Sequence, residues 1–96
     1  MIYCFLSSAE YVLTDGFRDH GVRYPLLIFA DGTDLEEAII RADRELRNLG
    51  WVELEIERSK RFTGPDPDPA SSDPVDQAWM DAMRSGFGMV IYTDRI

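Results

Sequence analysis

Between residues 35 and 57 the hydrophobic period changes from helical to two-residue with almost nothing in between. Leu35, Ala38, Ile39, Ala42, Leu46 and Leu49 recur at helical spacing. After Gly50 the run Trp51-Val52-Glu53-Leu54-Glu55-Ile56-Glu57 alternates apolar with acidic, the pattern of a strand with one dry and one wet face. A helix that hands directly to such a strand restricts the chain to a mixed architecture. The helix is also well signalled locally. Thr33 stands three residues before Glu36, the spacing of a capping box, and Asp34, Glu36 and Glu37 suit the positive end of the helix dipole. Glu37 with Arg41 and Asp43 with Arg47 have the spacing of outer-face ion pairs, and Asn48 and Gly50 supply the stop.

The remaining elements fall around this pair. Residues 2–6 read as a strand that can run on through Tyr11-Val12-Leu13, and residues 23–30 read as a second strand. The turn signals Thr14-Asp15-Gly16 and His20-Gly21 between them predict an antiparallel hairpin with a long loop. Residues 63–74 hold four of the five prolines and no large apolar side chain, which predicts a loop. Asp73-Pro74 then reads as N-cap and first residue of a second helix. Val75, Ala78, Trp79, Ala82 and Met83 line one side of it, and Gly86 ends it before a last strand over 87–93. The expected fold is α+β: a two-layer sandwich in β-β-α-β-α-β order, a four-stranded sheet with two helices on one face. The direction of the last strand stays open. With 96 residues there is room for one core, so residues 1–96 form a single domain.

Charge and cysteine usage exclude several roles. Eighteen acidic side chains against ten basic ones give a net charge of −8, which argues against binding nucleic-acid phosphates or an anionic membrane surface. One cysteine allows no internal disulfide, no signal peptide is visible, and no apolar run is long enough to span a bilayer, so the expected compartment is the cytoplasm.

Catalytic and metal-binding patterns are weak. Cys4 and His20 form a conceivable nucleophile and base, but a mid-strand cysteine is ordinarily a small buried hydrophobe. One His and one Cys exclude the usual zinc sets, and Asp66, Asp68 and Asp73 lack the glycine and closing glutamate of a calcium loop. Ser85-Gly86-Phe87-Gly88 leads out of a helix, the wrong sense for a phosphate cradle, and Asp31-Gly32-Thr33 opens into an acidic turn. Glu53, Glu55 and Glu57 have a spacing of about 6.5–7 Å between alternate residues, within the range of an inverting carboxylate pair, but a row on an open strand is ordinarily a solvated face. The sequence therefore implies no enzyme, no metal and no cofactor. Asp15, Arg18, His20 and Arg23 in the hairpin connection are the place where a small ligand would bind, if one does.

The sheet itself suggests a different activity. The strands over 2–6, 23–30 and 87–93 are apolar on both sides, and two helices on one face would leave apolar groups on the other. Tyr3, Phe5, Phe29 and Tyr92, beside Glu53, Glu55 and Glu57, are the expected partner-binding residues. The bland alternative is that the Pro-rich loop folds back over them. Five aspartates and no basic residue between 63 and 83, Asp66 and Asp68 among them, add a negative surface that would steer a basic partner.

The opening hairpin, the helix end Arg47-Asn48-Leu49-Gly50-Trp51, the strand from Val52 to Arg58 and the closing Gly86-Phe87-Gly88-Met89 resemble small uncharacterised bacterial proteins of this length. In general character the chain is similar to acidic immunity proteins and other inhibitors that mask basic partners. That resemblance implies a cytoplasmic protein-binding module. The alternatives are a structural homodimer formed across the sheet and a small-ligand protein using the hairpin loop.

Overall fold

The computed structural model describes residues 1–63, 68 and 70–92. Strands β1 (Ile2–Tyr11) and β2 (Arg23–Asp31) form the hairpin, helix α1 (Leu35–Asn48) follows, then strand β3 (Trp51–Phe62), helix α2 (Pro74–Ser85) and strand β4 (Phe87–Ile91). The element order is the one read from the sequence. The sheet runs β3-β1-β2-β4 with every neighbouring pair antiparallel, which fixes the direction of β4. No helix among the described residues is long and apolar enough to cross a membrane.

The two helices lie on opposite faces of the sheet, which corrects the expected placement on one face. Ala38, Ala42 and Leu46 of α1 pack with Tyr3, Phe5, Tyr24, Leu26, Ile28 and Trp51. Ala78 and Ala82 of α2 pack with Phe29, and Cys4, Leu27, Phe62 and Val90 close around them. Successive residues of a strand point to opposite faces, so Phe5 and Ile28 serve α1 while Cys4 and Phe29 serve α2. The apolar character of both sides of β1, β2 and β4 is thus the mark of a sheet covered twice. Phe5 and Phe29 are both 0% exposed, and Tyr3 is buried, so these expected partner contacts are core residues.

Small residues bring α2 down onto the sheet. A Cβ added at Gly88 would lie 2.0 Å from the Ala78 carbonyl oxygen, so the helix backbone rests directly on β4. Phe62 then meets Phe29 and Trp79 edge-on, with ring centroids 5.2 and 4.5 Å apart.

The caps differ from the sequence reading by one residue at α1. Asp34 is the N-cap and accepts from the Glu37 N–H at 2.8 Å, while the Glu37 carboxylate reaches back to the Thr33 hydroxyl and N–H. Asp43 and Arg47 pair at 2.9 Å, whereas Arg41 donates to the Asp31 carbonyl. Asp73 caps α2 with Pro74 at its start, and Gly86 ends it in the left-handed conformation, φ 92°.

Candidate functional site

Two register shifts set the shape of β3. Leu6 pairs with Arg58 but Ser7 with Ile56, leaving Glu57 as an extra residue; Ser8 pairs with Glu55 but Glu10 with Val52, leaving a second extra residue at Glu53 and Leu54. Leu54 and Ile56 pack on the α1 side, as the alternation predicts, but Val52 is displaced from their row by the bulge. Glu53 has φ 55°, a left-handed conformation that costs a side-chain-bearing residue about 1–2 kcal/mol. Arg23 holds the bulge in place. Reaching across β1, it donates to the Ser8 hydroxyl at 2.9 Å and to the Glu53 carbonyl, and its guanidinium lies 3.2 Å from the Glu55 carboxylate. One glutamate of the row is thereby paired, although its side chain stays 75% exposed.

On the α2 side of the sheet, beyond the helix, α2 leaves a strip uncovered, closed at its middle where Arg23 bonds to the buried Ser8. Arg58, Leu6, Leu27 and Val90 stand in one cross-sheet row. Glu55, Ser8 and Pro25 form the next, and the Tyr92 N–H donates to the Pro25 carbonyl at its end. α2 packs on Leu27 and Val90 but leaves Leu6 41% and Tyr92 42% exposed. The strip therefore carries two large apolar side chains between the charges of β3 and the end of β4.

The hairpin loop makes a second polar cluster at the far end of the sheet. The Tyr11 hydroxyl donates to Asp15 at 2.5 Å, and Asp15 also accepts from the Phe17 N–H. This bond from Tyr11 holds the Asp15 carboxyl below the usual carboxylate range and, reciprocally, pushes the Tyr11 phenol up. Arg18 lies over the Tyr11 and Trp51 rings, 5.6 and 5.7 Å from their centroids. His20 sits 3.0 Å from the Val12 carbonyl and Arg23 belongs to the β3 bulge, so the four candidate ligand residues do not converge. These contacts anchor the loop to the aromatic end of the core. A shallow depression of about 220 Å³ lies elsewhere, on α2, between Gln77, Met80, Asp81 and Arg84.

Cys4 and His20 are not brought together. Cys4 to Tyr11 is a run of extended strand about 23 Å long, and His20 lies past its far end. Burial also pushes the Cys4 thiol up, away from the thiolate a nucleophile needs, with Lys60 opposing it weakly. Among the described residues no three His, Cys, Asp or Glu side chains gather as a metal ion would require. Asp68 is exposed, while Asp66 lies outside the described residues. Glu53, Glu55 and Glu57 are all exposed, as is Tyr92. The sequence reading missed Leu6 and the cations Arg58, Lys60 and Arg61, although their position directly after the glutamate row was visible in the sequence. Compared with protein-family models, with curated proteins and with solved structures, the chain matches none of them.

Proposed function

We propose that this chain is a small acidic protein-binding module without catalysis, and that it docks through the open strip of its sheet together with the glutamates of β3. The observation that carries the reading is the exposure of Leu6 and Tyr92 on a sheet face that α2 otherwise covers, beside the exposed Glu55. Apolar anchors rimmed by charge are the usual composition of a docking surface. The sharpest form of the reading is an inhibitor or immunity protein masking a basic partner, for which the −8 net charge supplies long-range steering. A cytoplasmic site of action accompanies this reading.

A photo-crosslinking residue in place of Tyr92 identifies the partner, and calorimetry on the purified pair then tests the surface. The affinity is expected to fall as salt rises, and to drop about tenfold or more with Leu6→Asp and with Glu53, Glu55 and Glu57→Lys together. Unchanged affinity in both variants would remove this surface from consideration. A homodimer is the second reading, favoured by the order of charges along β3.

A further inference from the structure

The free edge of β3 is charged in an order that fits a second copy of itself. Along it Glu53, Glu55 and Glu57 come before Arg58, Lys60 and Arg61, and all six side chains are exposed. β3 lies at the margin of the sheet, and among the described residues no strand pairs with its outer side. An edge strand of this length presents a row of backbone donors and acceptors ready for another strand.

The charges decide which strand can pair there. A parallel copy would set like charge against like. An antiparallel copy, related by a two-fold axis between Glu57 and Arg58, sets Glu55 opposite Lys60 and Glu57 opposite Arg58, each pair occurring twice, while Glu53 and Arg61 fall opposite Phe62 and Leu54. The faces agree as well. Glu55 stands opposite Ser8 and Lys60 opposite Cys4, and these two positions of β1 share a face because the β1 register with β2 is unbroken. Arg23 occupies one side of Glu55 but leaves it largely exposed. The two bulges oppose indiscriminate edge pairing, and the charge order then selects among the strands that remain.

We infer that the chain forms a two-fold homodimer by antiparallel pairing of β3 with β3 of a second copy, joining two sheets into one. This rests on the reading of the chain as a binding module. It places the β3 glutamates in self-association, in competition with an outside partner for the same side chains, and leaves the Leu6–Tyr92 strip free in both states. A single edge contact buries little area, so the dimer belongs to the weak, reversible class.

Light scattering after size exclusion tests the pairing, with two charge-reversed chains: Glu53, Glu55 and Glu57→Lys, and Arg58, Lys60 and Arg61→Glu. Native far-ultraviolet circular dichroism establishes that both fold. At low salt the unaltered chain is expected to rise from 11.0 kDa towards twice that mass between roughly 1 µM and 1 mM, and to fall back as salt is added. Each reversed chain alone stays at the monomer mass, and their equimolar mixture regains the doubled mass. A monomer at every concentration, a dimer that survives both reversals, or a mixture that stays monomeric overturns the pairing. None of these results bears on Leu6→Asp against an outside partner, so failure of the dimer and failure of the module reading are separable.

Discussion

Asp15 shows how a loop residue can report on the core. Its carboxylate takes the Tyr11 hydroxyl proton bond at 2.5 Å, and Tyr11 in turn stands edge-on to Trp51 with ring centroids 4.9 Å apart. The bond lowers the Asp15 pKa in the folded chain. A lowered carboxyl contributes stability that is fully present above its unfolded value, about 3.9, and is lost as pH falls through the folded one. Asp15→Asn is therefore expected to be less stable than the unaltered chain at neutral pH, with the difference closing below about pH 4. Urea-unfolding midpoints across that range measure it. A difference that persists undiminished to about pH 2 would mean that Asp15 acts through the shape of the loop rather than through its charge. The same residue was legible in the sequence only as part of a turn. Nothing in the spacing of Tyr11 and Asp15 distinguishes an anchor from a ligand contact, because the distinction depends on where Trp51 and Arg18 arrive.

At the scale of elements, the strong local signals carried through and the face assignments did not. The α1 periodicity, the Asp73-Pro74 start of α2 and its Gly86 stop all express interactions within a few residues, so the sequence alone sufficed. The face on which α2 packs depends on the pairing of β4 with β2 and on the close approach of Ala78 to Gly88, both distant in sequence. The bulges at Glu53 and Glu57 were hidden for the same reason: the residues alternate perfectly, and only the pairing with β1 reveals the extra ones. This partition of the faces has a measurable consequence. Phe29→Ala is expected to destabilise the fold by about 3–5 kcal/mol, since the ring is enclosed beneath Ala78 and Ala82. Leu6→Ala, on the strip that α2 leaves open, is expected to cost under about 1 kcal/mol. Denaturant unfolding of the two variants compares them. Equal losses would place Leu6 in the core and close the proposed docking surface.

For the whole molecule, each sheet face has its own helix, and what remains for other proteins is a strip on the α2 side and the margin of the sheet. β4 at one margin is short and packed by α2, whereas β3 at the other is long and exposed from Glu57 to Arg61. The asymmetry concentrates both proposals on β3, one through its face and the other through its edge. Hydrogen exchange at dilute and at concentrated protein, in low salt, addresses this directly. Edge pairing of β3 predicts slower exchange at high concentration confined to the backbone amides of β3, Trp51–Phe62, with the hairpin loop and α2 unchanged. Identical exchange along β3 at both concentrations, or protection that appears on α2 instead, would contradict it.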